Sequence, residues 1–354
     1  MLRPASARWV HWGATSKNIM DTGTALQIKD SYAVVLAEID AIAESLAALA
    51  VRHRDTLMAG RTHGQHALPI TFGYKVAVWV AEVDRHLVRL AQLGPRVFRG
   101  QLAGAVGTLA SIGEKGLELQ ALFCEDLGLA LPEIAWHTAR DGVAEVVCAY
   151  ALVGGTLAKI ANEVIDLQKT EVAEVEEPFH RGKVGSSTMP HKRNPSACEH
   201  VVALGRLLHA QVAPALQSMV SANERDKRAG VTEQAVLPEA SCLIAGMLRA
   251  IQGILTGLHV YPERMQANLG LLDGLLLSEA VMLALARHIG RQRAHEVVYE
   301  LCMDAVEGRR PLRPLLLEDP RVSPYLGPAE LDVLLDPAGY TGLAARFVDR
   351  VAPP

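Results

Sequence analysis

Residues Asp21 to His53, DTGTALQIKDSYAVVLAEIDAIAESLAALAVRH, decide the fold. The stretch holds no proline and one glycine, and it places Ile28, Tyr32, Val35, Ile39, Ile42, Leu46 and Leu49 at steps of three and four. That spacing lays the apolar side chains along one face of a helix with 3.6 residues per turn. A helix of about 30 residues spans roughly 45 Å at 1.5 Å per residue, so the stretch predicts a long rod rather than a short core helix.

Neighbouring stretches repeat the pattern. After Pro69, the residues Phe72, Val76, Val80, Val83, Leu87 and Leu90 share a helical face, and the Gly94-Pro95 pair is expected to end it. A third run is expected from about Gly142 to Glu177, with Gly154-Gly155 marking a kink or a close helix contact and Pro178 stopping it. A fourth runs from about Ser196 to Val220, bent at Pro214. No succession of alternating, β-branched segments occurs, so no sheet core is expected. The fold class is therefore all-α, a bundle of long helices. Their narrow apolar stripes suit a bundle whose members also pack against other subunits, which predicts a homo-oligomer. Beyond Tyr261 the helical runs shorten, to Pro262–Gly290 and Gln292–Val306, and prolines gather from Pro311 to Pro337. The expected organisation is a leading segment, 1–20, carrying a first polar loop; a central bundle, 21–260; and a small helical C-terminal domain, 261–354.

Composition narrows the function. The 354 residues can bury a substantial core, and 35 basic against 39 acidic residues provide no global attraction for nucleic acid or an anionic membrane. Five scattered cysteines without a C-x-x-C pair fit neither a disulfide framework nor a zinc site, so no metal is expected and a reducing cytoplasm suits the chain. Apolar runs are interrupted by polar residues before about 18 positions, which is read as a soluble protein without a membrane span or signal peptide.

Three polar segments interrupt the helices: HWGATSKNIMDT (His11–Thr22), GRTHGQHALP (Gly60–Pro69) and GSSTMPHKRNP (Gly185–Pro195). Polar groups on loops of a rigid scaffold are where binding and catalysis concentrate. Each hydroxyl has a plainer reading as a helix cap: Thr15, Ser16 or Asp21 for the first helix, Ser196 for the helix after Pro195. In combination they read differently. A glycine before two serines lets backbone N–H groups and hydroxyls approach a ligand, and Lys192 and Asn194 offer one charged and one neutral donor for a carboxylate. His63 supplies an acid or base near neutral pH. Removing a proton beside a carboxylate makes a dianion, which needs such donors aimed at its oxygens.

GSSTMPHKRNP resembles the signature loop of the fumarase/aspartase superfamily, and HWGATS and GRTHGQHALP match its other two motifs in order. The resemblance implies a homotetramer with a central helical bundle, active sites built from three subunits, and β-elimination or the related addition on a small polycarboxylate substrate without cofactor. It implies Ser186 as the catalytic base, with Ser187 its neighbour and the alternative; His63 as general acid; and Lys192 and Asn194 on the substrate carboxylate. It further implies that His11, Thr15, Ser16, Thr62, Gln65 and Met189 contact substrate and that Glu199 stands behind them. His66 and His191 are read as scaffold or rim. Members carry about a hundred residues before HWGATS, so the usual N-terminal domain is expected to be truncated here.

Two branches compete. GRTHGQHALP resembles adenylosuccinate lyase, but the arginine–serine–arginine phosphate grip of those enzymes reads Arg225, Gly230 and Gln234 here. WHTARDGVAE (Trp136–Glu145) and the tail from Ser278 onward resemble 3-carboxy-cis,cis-muconate cycloisomerases, although those carry tryptophan in place of His63. The expectation is the cycloisomerase branch, with adenylosuccinate lyase or another fumarate-releasing C–N lyase as the alternative and a catalytically silent scaffold as the non-enzymatic one.

Overall fold

The computed structural model describes residues 4–180, 182 and 185–353. A one-turn helix α1 (Pro4–Ala7) leads into α2 (Ser16–Arg52); strands β1 (Leu57–Thr62) and β2 (Gln65–Thr71) follow, then α3 (Phe72–Val97), α4 (Gly116–Asp126) and α5 (Asp141–Gln168). A short strand β3 (Val175–Glu176) precedes α6 (Ser196–Ala210), α7 (Val212–Gln217) and α8 (Arg228–Thr256). The chain closes with β4 (His259–Val260), α9 (Pro262–Leu269), α10 (Ser278–Ile289), α11 (Arg291–Gly308), α12 (Leu312–Glu318), α13 (Pro328–Leu334) and α14 (Ala344–Val351). The fold is all-α, with two small antiparallel pairs, β1–β2 and β3–β4, as its strands among the described residues.

The predicted stripes form the core. Ile28, Val35, Ile39, Ile42, Leu46 and Leu49 of α2 are buried, as are Phe72, Val76, Val80, Val83 and Leu90 of α3. Each such side chain contributes about 1.5–3 kcal/mol on burial, so the stripe outweighs the presence of Gly23 in the helix. Tyr32 completes the stripe with its hydroxyl donating to the Leu90 carbonyl at 2.9 Å.

Several boundaries depart from the sequence reading. The first long helix begins at Ser16, not Asp21, and Asp21 is a buried helical residue instead of a cap. Helix α3 continues past Gly94-Pro95 to Val97, because burial of Leu93 and Val97 holds its last turn. Helix α5 ends at Gln168, before the expected Glu177: Ala173 takes left-handed backbone (φ 53°), and β3 then pairs with β4. Gly154 marks a close helix contact, since a Cβ there would lie 2.6 Å from Leu208 of α6. The fourth run breaks at Gln211, between α6 and α7, rather than at Pro214. Pro262–Gly290 is two helices, α9 and α10, and α8 is a further long helix beyond the four sequence stripes.

By contacts the chain divides into two compact units: Met1–Ala43, Glu82–Glu163 and Gly185–Thr256 in one, Glu44–Ala81, Val164–Val184 and Gly257–Pro354 in the other. Helices α5 and α8 are long and apolar enough to cross a membrane by length and composition, which the sequence reading had set aside. Their apolar faces are buried in the fold, through Val146, Val147, Tyr150, Leu157 and Ile160 on α5 and Ile244, Met247, Leu248 and Ile251 on α8.

Candidate active site

The first motif forms the approach to α2. His11 (φ 63°) and Gly13 (φ 69°) both take left-handed backbone, conformations that turn the chain sharply before the helix. Thr15 stands just before the helix, yet its hydroxyl does no capping. Asn18, three residues on, reaches back instead: its Oδ1 accepts from the Thr15 N–H at 3.0 Å and from the Gly104 N–H at 3.2 Å. This is the returning half of a capping box. It leaves the Thr15 hydroxyl free to accept from Arg225 Nη1 at 2.6 Å. Thr15, Ser16, Lys17, Arg225, Asp226 and Lys227 line one cleft of about 470 Å³, in which three cations and two hydroxyls outnumber one carboxylate that is itself paired with Arg228. Such a set suits an anion.

The second motif is a β-hairpin, where the sequence reading expected a loop. Thr62 pairs with Gln65 across a two-residue turn whose central residues, His63 (φ 53°) and Gly64 (φ 76°), both have positive φ. That is the type I′ geometry, which matches the twist of the flanking strands. Glycine meets it freely at Gly64; a histidine does so at a cost, and strain of this kind gathers at functional positions. The turn presents the exposed His63 imidazole at its tip, with Thr62 and Gln65 exposed beside it. Behind the tip, Arg61 makes a two-pronged ion pair with the fully buried Glu174 (2.9 and 2.6 Å), whose Oε1 also accepts from Asn268 Nδ2 at 2.7 Å. Burial first, and then the Arg61 charge, holds His66 below the ordinary imidazole value, with Glu174 opposing. The His66 ring is therefore neutral at neutral pH.

The third motif folds on itself. Ser186 Oγ accepts from the Met189 N–H at 3.1 Å, and Asn194 Nδ2 donates to the Gly185 carbonyl at 3.0 Å. The first bond aims a donor at the oxygen that must carry negative charge if Ser186 is a base. It distinguishes Ser186, half-buried, from the exposed Ser187. The second uses one of the two amide hydrogens of Asn194 to close the loop. Lys192 and Met189 are exposed, and Glu199 is exposed on the first turn of α6.

Beneath the first motif lies a buried network outside the sequence-predicted site. Arg140, 1% exposed, donates to Glu233 through Nε (2.8 Å) and Nη2 (2.5 Å), lies 3.1 Å from Asp21 Oδ1, and stacks on Trp136 at 5.0 Å. Lys17 shares the same Asp21 oxygen at 2.7 Å. Asn18 Nδ2 lies 2.8 Å from Nε2 of the buried His137. The asparagine three residues after Thr15 was the readable signal; its partners lie too far along the chain for spacing to disclose.

The family match to known proteins spans all three motifs. The family described as Lyase matches residues 2–212, and the adenylosuccinate lyase C-terminus matches residues 274–351. The chain belongs to the lyase family of the fumarase/aspartase superfamily, and it is an enzyme of that family, a lyase or cycloisomerase. It is 44% identical to N-acetyl-S-(2-succino)cysteine lyase of Dickeya dadantii, over 98% of this chain and 76% of that protein. It is 46% identical to 3-carboxy-cis,cis-muconate cycloisomerase of Pseudomonas aeruginosa, over 97% of this chain and 75% of that one. The crystal structure of a fumarate lyase from Mesorhizobium sp. BNC1 superposes with a TM-score of 0.92 at 43% identity, covering 98% of this chain and 78% of that chain.

Proposed function

We propose that the enzyme eliminates fumarate from a succinyl adduct, with Ser186 removing the proton and His63 protonating the leaving heteroatom. The observation that carries this reading is the imidazole of His63 at the tip of a strained turn, where a leaving group can receive a proton. In the step, Ser186 Oγ, entering as the alkoxide, takes a proton from the CH₂ beside one carboxylate, the C–S or C–N bond to the adjacent carbon breaks as the C=C bond of fumarate forms, and the departing sulfur or nitrogen takes a proton from the imidazolium of His63. The Met189 N–H supports negative charge on Ser186 Oγ. Lys192 and Asn194 receive the carboxylate that becomes dianionic, and Thr15, Ser16 and Arg225 receive the other. His11, Thr62, Gln65, Ser187 and Met189 line the substrate, and Glu199 orients the loop from α6. No cofactor enters this mechanism. The likeness to N-acetyl-S-(2-succino)cysteine lyase favours a thioether adduct.

Cycloisomerisation of 3-carboxy-cis,cis-muconate is the second reading, favoured by the WHTARD segment and the similarity to the Pseudomonas aeruginosa enzyme. Under either reading we place the protein in the cytoplasm as a soluble homotetramer, with 21–260 as its bundle domain, 261–354 as the small domain and each site drawn from three subunits. Purified protein assayed in parallel on N-acetyl-S-(2-succino)cysteine, adenylosuccinate and 3-carboxy-cis,cis-muconate tests the choice. Fumarate release from the first supports the proposal. Loss of the muconate diene with no fumarate from either adduct overturns it in favour of cycloisomerisation.

A further inference from the structure

The side chain that organises the first motif is Asn18, and its orientation follows from its partners. Two backbone N–H groups, of Thr15 and Gly104, point at one end of its amide, so that end is the oxygen. The other end, Nδ2, is a donor, and it faces His137 Nε2 at 2.8 Å. A donor needs an acceptor, so Nε2 carries no proton and the His137 ring is neutral. If the ring were protonated, two N–H groups would confront each other inside the protein, since Asn18 is fully buried and His137 nearly so. Asn18 would lose a bond or turn over, and turning over would present its NH₂ to the Thr15 and Gly104 N–H groups.

We propose that Asn18 and His137 are a positioning pair that holds the carboxylate-binding loop His11–Ser16 in place only while His137 is neutral. The proposal rests on the reading of that loop as a carboxylate site. The loop's backbone is anchored through the Thr15 N–H, and the Thr15 hydroxyl is free for ligand and Arg225 because Asn18 does the capping. The charged groups facing His137 are Asp21 and Lys17 from α2, Arg140 from the start of α5 and Arg225 from the approach to α8. Asp21 favours the charged ring. It is already engaged by Lys17 and Arg140, and the three cations oppose protonation together with burial. The neutral ring is therefore the resting state at neutral pH, and the pair releases the loop at a pH below the ordinary imidazole value of about 6.5.

Two substitutions separate this device from simple packing. In Asn18→Asp, one carboxylate oxygen still accepts from Thr15 and Gly104 while the other accepts from a protonated His137. In His137→Gln, a non-titrating amide oxygen accepts from Asn18 Nδ2. Both should retain the anchor in acid. The test is hydrogen–deuterium exchange of the peptides containing Thr15 and Gly104, corrected for the intrinsic pH dependence of exchange, in wild type and both variants from neutral to acid pH. Wild type should lose protection of these two amides about tenfold per pH unit below the transition, while α3 core amides keep theirs and both variants stay protected. In turnover of the succinyl adduct, KM should rise on acidification in wild type more than kcat falls, and the rise should vanish in Asn18→Asp. Wild-type protection that ignores pH, or variants that lose it as wild type does, overturns the proposal. Absence of turnover on every adduct refutes the functional reading and leaves the exchange result to decide the pair.

Discussion

The first and third motifs solve opposite problems. The loop Gly185–Pro195 lies mostly exposed and is shaped by hydrogen bonds of its own, among them Met189 to Ser186, Asn194 to Gly185 and the Lys192 N–H to the Met189 carbonyl. The loop His11–Ser16 rests on a buried polar network, Asn18, Asp21, His137, Arg140 and Glu233, each no more than 6% exposed. Under the proposed function, the oxygen of Ser186 and the imidazole of His63 must meet substrate and so stay accessible. The groups that fix a carboxylate's position gain from the low dielectric of the interior, provided every charge is paired. On that proposal, chemistry sits on the exposed side of this division and geometry on the buried side.

The comparison breaks most visibly in catalysis. Ser186→Ala should lower kcat by about three orders of magnitude with no change in Tm, whereas Ser187→Ala should cost about tenfold or less, as measured by initial rates and thermal unfolding. Equal losses in the two variants would mean that the Met189 N–H does not single out the base. On the buried side the effect should appear in stability instead. Arg140→Met leaves Asp21 and Glu233 with carboxylates in the interior, Glu233 stripped of both its bonds to Arg140 and Asp21 retaining only Lys17. It should cost about 3–5 kcal/mol in denaturant unfolding.

His63→Asn should separate the two properties in one residue. Asparagine accepts the left-handed turn more readily than histidine, so unfolding free energy should stay constant or rise by about 0.5 kcal/mol. Catalysis should fall by about 10²–10⁴ as the proton donor is lost. A variant that unfolds early would show that the imidazole supports the hairpin rather than the reaction.

A pH effect on stability comes from His86, buried on α3, which burial and then Arg89 lower to about 4, Glu82 opposing. Its Nε2 lies 2.9 Å from the Thr156 hydroxyl, which itself donates to Glu82 at 3.1 Å, so Nε2 is the donor; Arg89 Nη1 donates to Nδ1 at 3.3 Å, so Nδ1 carries no proton and the ring is neutral. The unfolded chain takes up this proton near 6.5 and the folded chain only near 4. The stability present above 6.5 is therefore lost as pH falls through that window, by about 3 kcal/mol. Unfolding of His86→Gln across the same window should show a correspondingly shallower pH slope.

The division also explains what the sequence disclosed. Helix stripes are periodic, so α2 and α3 were legible residue by residue from Ile28 to Leu49 and from Phe72 to Leu90. The residues proposed to react sit in short runs punctuated by glycine and proline, and Ser186, Lys192, Asn194 and His63 stand out by type. The hairpin did not, because two strands of six and seven residues around His63-Gly64 are too short to show a period and lack the usual asparagine-glycine turn. The buried network was illegible for another reason. Asn18 meets His137 across 119 positions and Arg140 meets Glu233 across 93, and on a helix a lone Asp21 or Glu233 reads as part of a solvated face.

The most direct test of the account is fumarate formation from N-acetyl-S-(2-succino)cysteine by wild type and Ser186→Ala at matched Tm. The account predicts turnover by wild type and a loss of about three orders of magnitude in kcat in the variant. Fumarate formed by Ser186→Ala at the wild-type rate would contradict it and move the base to another residue.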